Sequence, residues 1–189
     1  MLCELPALPW THIDTAKNII TMERQLVRLP SRQADGGYST PLYGPPKRGG
    51  TRRVKVDAAT MLLLEKHKAA QRLVKVKAGP RYRDLGLAFA REPIHLTERE
   101  HDAMGLPIRA NMMRDRFGAM LEGAGLRKVR PHALRHCAAT MQLSAGMPGA
   151  DAAARLGHSP AMLLTVYAHA TAGREDARVA AIGAMLHGK

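Results

Sequence analysis

Glycine and proline residues divide the C-terminal half of this 189-residue sequence into short helices. Residues 110–123 place apolar side chains at helical spacing, and Gly125 follows them as a helix stop. Pro131 suits the first turn of the next helix, which is predicted to end near Ser144. Three further helices are predicted over about 149–156, from Pro160 onward and over about 173–187. This half of the chain is therefore predicted to be a group of short packed helices.

The N-terminal half adds strands to this pattern. Residues 19–28 alternate and contain β-branched side chains, which predicts one strand, and residues 51–56 predict a second. A long loop is predicted over 75–108, with a short strand near Leu85–Phe89. The sequence therefore predicts an α+β fold that is mainly α, with a small antiparallel β-sheet near the N-terminus.

One helix is predicted between the second strand and that loop. Asp57 can cap it, and it is expected to cover about 58–72. Its buried stripe is predicted to consist of four apolar residues, Met61, Leu62, Leu64 and Leu73.

The charge of the chain indicates an acidic polymer as its partner. Lys and Arg number 29 against 16 Asp and Glu, which gives a net charge of +13. The basic residues form three clusters, within 48–55, 66–77 and 109–130, which is the distribution expected of a phosphate track. Their alternative role is a solvated basic surface that aids solubility.

Several protein classes are not indicated by the sequence. It contains no apolar run of about 18 residues and no secretory signal at its start, so we expect neither a membrane span nor secretion. Cys3 and Cys137 are too few for a disulfide framework and fit a reducing cytosol, with Cys137 expected to be a buried core thiol. A cytoplasmic protein associated with the nucleoid is the expectation.

The residues from 131 to 170 have the side chains that phosphodiester chemistry requires. His132 and Arg135 are three apart on one helix face, near a helix N-terminus that favours anions. His158 follows the turn at Gly157, and Tyr167 comes nine residues later as a possible nucleophile. Taken singly, each has an ordinary alternative: a surface histidine, a structural arginine, a helix corner or a core tyrosine.

Taken together, these motifs resemble the catalytic core of the tyrosine recombinase (phage integrase) family. That family has His-x-x-Arg, then Leu-Gly-His, then a tyrosine about nine residues later, as in the run from Pro131 to His169. The segment GPPKRGGTRRVKV resembles the family's β-turn, whose catalytic lysine falls on Lys47. The segment ELPALPWTHID resembles the block that follows the family's first catalytic arginine.

The resemblance implies a role for each matching residue. Tyr167 would attack the scissile phosphate and form a 3′-phosphotyrosyl link, while Arg135 stabilises the charge on the phosphate oxygens. Lys47 would protonate the 5′-oxygen, His132 would assist proton transfer, and His158 would hydrogen-bond the phosphate or the phenolate. Neither a metal nor a nucleotide cofactor is expected. DNA contacts are expected from five further residues, Arg48, Arg52, Arg53, Arg130 and His136.

The sequence departs from the family pattern at its first residue. The family's first catalytic arginine lies three residues before the position of Glu4, and Met1 stands there instead. The expectation is a truncated catalytic domain over 1–172, lacking its first helix and the N-terminal core-binding domain, with a C-terminal helix or tail over 173–189. Recombination would then be impaired, while binding to double-stranded DNA survives. An active form is expected to be a homo-oligomer, a tetramer on DNA.

Two other classes stay open from the sequence. The chain could be a non-catalytic DNA-binding protein that uses residues 149–170 as a helix-turn-helix, which predicts DNA binding without a covalent adduct. It could also be a basic RNA- or ribosome-associated protein. Its aromatic content of 4% is low for base stacking, which argues against this second class.

Overall fold

The structure is a computed structural model that describes residues 3–46, 50–96, 102–157 and 184–185. The chain divides into two compact units, Met1–Val129 and Arg130–Lys189. The first unit contains all five strands of the described part and two of its α-helices, and the second contains the other two α-helices. The predicted α+β, mainly α fold with antiparallel strands near the N-terminus is confirmed.

Two small antiparallel sheets form in the first unit. Its strands are β1 (Ile13–Asp14), β2 (Ile19–Met22), β3 (Gln25–Arg28), β4 (Leu42–Gly44) and β5 (Arg52–Lys55). The order in one sheet is β1-β2-β5, with Ile20 opposite Val54, and the other sheet is the pair β3-β4. Short 3₁₀ helices cover Leu5–Ala7, Trp10–His12, Gly79–Arg81 and Pro93–His95.

The single strand predicted over 19–28 is wrong, because the chain changes sheets within it. β2 pairs with β1 and β5, whereas β3 pairs with β4, and Glu23 and Arg24 lie between them. The Nε of Arg24 donates to the Ala7 carbonyl at 2.6 Å, and its guanidinium lies 4.3 Å from the Tyr43 ring centroid. Alternation in the sequence cannot reveal this change of partner.

Helix α1 covers Ala58–Ala78 and is longer than the predicted 58–72. Asp57 caps it as predicted, since its Oδ1 accepts from the Thr60 amide at 2.8 Å. The helix continues until Gly79, whose φ of +54° lies in the region that favours glycine.

The buried stripe of α1 differs from the prediction. Met61 and Gln71 are buried and Leu64 is half-buried, whereas Leu62 and Leu73 are 51% and 65% exposed. The prediction selected leucines by type, but the buried positions repeat at helical spacing from Met61 and include a glutamine.

The segment after α1 packs without forming the strand predicted near Leu85–Phe89. Only single residues pair there, in the bridges Pro9↔Leu87 and Ala90↔Pro107. The Ala88 amide donates to the Leu8 carbonyl at 2.8 Å, so this segment closes over the N-terminal turns. Leu8, Met61 and Ala88 form one core cluster with Ile13.

Gly105 allows this segment to turn back closely on itself. Its φ is +83°, and a Cβ built there would lie 2.1 Å from the Arg83 carbonyl oxygen. The Gly105 amide also donates to the Arg91 carbonyl at 2.9 Å. No side chain fits at this position without moving the backbone.

The three later helices of the described part match their predictions. They are α2 (Ala110–Gly123), α3 (Pro131–Ser144) and α4 (Gly149–Leu156). At the end of α2 the Gly125 amide donates to the Glu122 carbonyl and the Leu126 amide to the Leu121 carbonyl. This is a Schellman cap, with Gly125 at a φ of +66°.

In the second unit α3 and α4 pack against each other. Ala139, Leu143 and Ala152 form the buried cluster between them. Cys137 is exposed, so the predicted buried core thiol is wrong: Ala139 and Leu143 define the inward face of α3, and Cys137 lies off that face. The helices predicted from Pro160 and over about 173–187 lie outside the described residues, apart from 184–185.

Candidate functional site

Helix α3 presents three of the predicted site residues close to its N-terminus. Pro131 begins the helix, as its fixed φ favours, and His132 follows in the first turn. His132 and His136 are exposed and one turn apart, with ring centroids 4.9 Å apart and planes at 86°. The two imidazoles therefore form one edge-to-face pair on the surface of the helix.

Arg135 is half-buried and reaches from α3 to the end of α4. Its Nη2 donates to the carbonyl of Leu156 and, at 3.0 Å, to the carbonyl of Gly157. Carbonyls at a helix C-terminus lack partners within the helix and form the negative end of its dipole, so a guanidinium is well suited to them. Gly157 ends α4 in the left-handed conformation, with a φ of 62°.

This contact brings two sequence motifs together. Arg135 belongs to the His-x-x-Arg motif, and Gly157 immediately precedes His158 of the Leu-Gly-His motif. The spacing within each motif is predictable from the sequence, whereas their contact depends on how α3 packs on α4. The structure therefore places the guanidinium of Arg135 next to the residue that leads into His158.

The remaining seven predicted residues are two exposed arginines, four residues outside the described ranges, and Arg52. Arg130 is exposed just before α3, and Arg53 is exposed on β5 of the first unit. Lys47, Arg48, His158 and Tyr167 lie outside the described residues.

Arg52 has a different environment from Arg53. Its Nη1 and Nη2 donate to the two carboxylate oxygens of Glu4 at 2.8 and 2.6 Å, and the side chains are 15% and 7% exposed. Arg52 shares the inward face of β5 with Val54, because side chains alternate along a strand. Both terminal nitrogens of its guanidinium are thus engaged inside the first unit.

The electrostatics of Glu4 follow from this geometry. Burial alone would raise the pKa of Glu4. This effect is outweighed by hydrogen bonds, including those from Arg52, and by nearby positive charge, so the pKa is lowered to about 2. No role for Glu4 was predicted from the sequence. The available signal was the alternation of β5, which puts Arg52 on the same face as Val54 and so requires an acidic partner there.

A buried polar network beside α1 was likewise not predicted from the sequence. The Oε1 of Gln71 accepts from the Trp10 indole at 2.8 Å, and the Nε2 of Gln71 donates to the Ala88 carbonyl at 3.3 Å. The Nε2 of His67 lies 2.7 Å from the Ala88 carbonyl oxygen, and the His67 ring stacks on Phe89. These contacts join α1 to the N-terminal turns and to the segment near Ala88.

Arg91 is a further buried charge that the sequence did not reveal. It is fully buried, and its Nε donates to the Pro107 carbonyl at 3.0 Å. Its backbone pairs with Gly105 and Leu106, so it holds the segment between α1 and α2.

Two tyrosines of the first unit are poorly suited to act as nucleophiles. Burial raises the pKa of Tyr43, although the charge of Arg24 opposes the change. Burial also raises the pKa of Tyr82, and the carboxylates of Glu92 and Asp84 raise it further. Both phenols are therefore harder to deprotonate than a solvated tyrosine.

The described ranges contain neither a cluster of metal-ligand side chains nor a helix suited to a membrane. Between residues 3 and 157, excluding the gaps, no three His, Cys, Asp or Glu side chains converge as metal ligands. No helix in the same part of the chain is both long and apolar enough to cross a membrane.

Two curated proteins are similar to this chain over most of its length. The chain is 27% identical over 172 residues to a "Tyrosine recombinase XerC-like" protein of Caldanaerobacter subterraneus subsp. tengcongensis, covering 88% of this chain and 41% of the relative. It is 26% identical over 189 residues to the "Prophage integrase IntR" of Escherichia coli strain K12, covering 97% and 43%. The chain thus spans about two fifths of the length of these curated relatives.

Solved structures share the fold. The Tn1549 transposon integrase in complex with transposon right end DNA matches with a TM-score of 0.66 at 22% identity, covering 97% of this chain and 55% of that chain. XerA recombinase matches with a TM-score of 0.53 at 18% identity, covering 88% and 47%. The family model described as "Phage integrase family" matches residues 47–174, about two thirds of the sequence. The chain belongs to the phage integrase family of tyrosine recombinases.

Proposed function

We propose that this chain carries out site-specific DNA recombination by cleaving and rejoining strands through a 3′-phosphotyrosyl intermediate. The observation that carries the proposal is the contact between Arg135 and the Gly157 carbonyl. It joins the two motifs around which phosphate chemistry would be organised, and both motifs lie within the range matched by the family model. We assign the catalytic domain to 1–172 and a C-terminal segment to 173–189.

In the proposed cleavage step, the phenol oxygen of Tyr167 bonds to phosphorus as the bond from phosphorus to the 5′-oxygen breaks. Lys47 gives a proton to that leaving oxygen, and His132 assists removal of the phenol proton. Arg135 and His158 donate hydrogen bonds to the non-bridging oxygens, where negative charge develops. The phosphotyrosyl ester conserves the bond energy, and a 5′-hydroxyl reverses the step to rejoin the strand.

The proposed DNA contacts divide according to exposure. Arg53, Arg130 and His136 are exposed, which supports phosphate contacts to double-stranded DNA, and we include Arg48 with them. Arg52 acts differently in this proposal, because its guanidinium is engaged by Glu4. It supports β5, from which Arg53 projects. We place this activity in the cytoplasm at the nucleoid, with a tetramer as the active assembly.

One position bears on the rate of the proposed reaction. Met1 lies three residues before Glu4, where the family pattern has its first catalytic arginine. Removal of one pre-organised donor to a developing oxyanion typically slows an enzyme by about 10²–10³-fold. Because a methionine side chain donates no hydrogen bond to a phosphate oxygen, cleavage by a chain with Met at this position is proposed to be slow.

A nicked-duplex assay tests the cleavage proposal. The 189-residue protein is incubated with a randomised duplex library in which a nick lets the short strand diffuse away after attack, so that covalent adducts accumulate. Adducts are separated from non-covalent complexes on denaturing gels. We expect a protein–DNA adduct that is lost in Tyr167→Phe, because the phenol oxygen is the attacking atom.

Two variants serve as controls. Tyr38→Phe removes a phenol whose ring lies near Arg83, and it should keep the adduct. Arg135→Lys should reduce the adduct yield by about 10²-fold or more, since a lysine cannot reproduce the planar fork of donors. Adduct formation by Tyr167→Phe at the wild-type level would refute the assigned nucleophile. DNA binding by the wild type without any adduct would instead establish a non-catalytic DNA-binding module.

A further inference from the structure

The outer face of α1 carries an apolar strip directly opposite its buried face. The strip consists of four residues spaced by seven, four and three positions: Leu62, Ala69, Leu73 and Val76. They fall within about 60° of the helix circumference. Leu62, Leu73 and Val76 are 51%, 65% and 80% exposed. Met61 and Gln71 face the core on the other side. This spacing is the one by which a helix packs along a second helix.

Two opposite charges flank the strip. Glu65 and Arg72 are both exposed and lie seven residues apart on the same side of it. Within the described part of the chain neither of them makes an ion pair. If two α1 helices pack antiparallel, Leu62 of each faces Leu73 of the other, and Glu65 of each lies beside Arg72 of the other. The pattern of charges is therefore complementary to itself about a two-fold axis.

Lys66 opposes this arrangement in part. It lies beside the strip, on the side away from Glu65, and in the antiparallel pairing it is level with Ala69 of the other helix, whose small side chain leaves room for the lysine stem. The two-fold axis also places the two Lys66 side chains on the same side of the helix pair, where their charges repel. A polar residue at such a position lowers the affinity of a helix pair but specifies its register.

We propose that the outer face of α1 is a docking surface for a second copy of this chain, bound antiparallel through the strip and the two Glu65–Arg72 pairs. The self-complementary charges favour a second copy over an unrelated partner. An acidic partner helix would not use Glu65, whereas a second copy uses both charges twice.

The association is expected to be weak. Helix α1 has 21 residues and is about 30 Å long, so a single pair of these helices falls below the roughly 1,200 Å² of most stable interfaces. The net charge of +13 also opposes pairing. We therefore expect dimers at protein concentrations of about 0.1–1 mM in the absence of nucleic acid.

Sedimentation equilibrium on the full chain, free of nucleic acid, tests this surface by charge reversal. Glu65→Arg and Arg72→Glu should each weaken self-association by about tenfold, because each places like charges together twice. A mixture of these two variants should associate as well as the wild type, because each supplies the charge that the other needs. The double variant should likewise recover.

Two further variants complete the test. Leu73→Lys should abolish association, and Glu122→Arg on α2 is the matched charge reversal that should leave it unchanged. Circular dichroism and the fluorescence of Trp10 verify that each variant is folded. A wild type that stays monomeric at about 1 mM overturns the proposal. So does a mixture of the two single variants that associates no better than either alone, which would indicate a different surface or a different occupant.

Discussion

The buried Glu4–Arg52 pair predicts a pH-dependent part of the stability of the first unit. The perturbation is Glu4→Gln, which keeps the size of the side chain but removes its charge and leaves Arg52 facing an amide. Lowering the pKa of Glu4 from 4.5 to about 2 corresponds to about 3 kcal/mol at neutral pH, at about 1.4 kcal/mol per pH unit, and this figure covers every favourable partner of the carboxylate, of which the Arg52 hydrogen bonds are the largest. Removal of one partner of a buried ion pair typically costs about 3–5 kcal/mol, which agrees.

The sign of the pH dependence follows from the lowered pKa. Because the folded chain holds the Glu4 proton less tightly than the unfolded chain, the stabilisation is fully present above the unfolded pKa of 4.5. It is lost as the pH falls through the folded value of about 2. The free energies of unfolding of wild type and Glu4→Gln should therefore differ by about 3 kcal/mol at pH 7 and converge between pH 5 and pH 2.

Urea denaturation followed by tryptophan fluorescence measures this difference. Trp10 is the one tryptophan in the sequence and belongs to the first unit, so its signal reports the unit that contains Glu4. Glu122→Gln, an exposed carboxylate on α2, serves as the matched control and should change the free energy of unfolding by less than about 0.5 kcal/mol. A gap between wild type and Glu4→Gln that stays constant from pH 7 to pH 2.5 would show that packing, not charge, causes the loss.

Two other substitutions test the packing of the first unit. Gly105→Ala should lower the free energy of unfolding by about 3 kcal/mol, because its Cβ would meet the Arg83 carbonyl oxygen at 2.1 Å. Gly123→Ala is the control: its Cβ meets nothing within 4 Å, so the change should be neutral or slightly stabilising. Equal effects of the two variants in urea denaturation would contradict this prediction. Gln71→Leu should lower it by about 2 kcal/mol, because the Trp10 indole loses its acceptor. Denaturation followed by circular dichroism measures this loss, and an unchanged free energy would mean that the Trp10–Gln71 hydrogen bond contributes nothing.

Features with local causes were predictable from the sequence. Helices α2, α3 and α4 were predicted within a residue because Pro131, Gly125 and Gly157 act through their own backbone angles. The cap at Asp57 has a similar local origin, since it requires only the Thr60 amide.

Features that depend on distant partners were not predictable. The break after Met22 arises because β2 and β3 pair in different sheets, which alternation does not encode. Arg52 and Arg53 are adjacent and identical in type. Alternation along β5 puts Arg52 on the inward face, but it does not identify Glu4, 48 residues earlier, as its partner. For the candidate site, helical spacing puts His132 near Arg135, but the bond from Arg135 to Gly157 needs the packing of α3 on α4.

The bond between Leu8 and Ala88 has a consequence for the chain during its synthesis. The Leu8 carbonyl accepts from an amide about 80 residues later, and Leu8 and Ala88 share a core cluster with Met61 on α1. At about 5–20 residues per second, a ribosome adds those residues in roughly 4–16 s. The apolar surface of the N-terminal turns therefore stays exposed for that time. The core cluster that contains Leu8, Met61 and Ala88 can therefore form only after the segment near Ala88 has been synthesised.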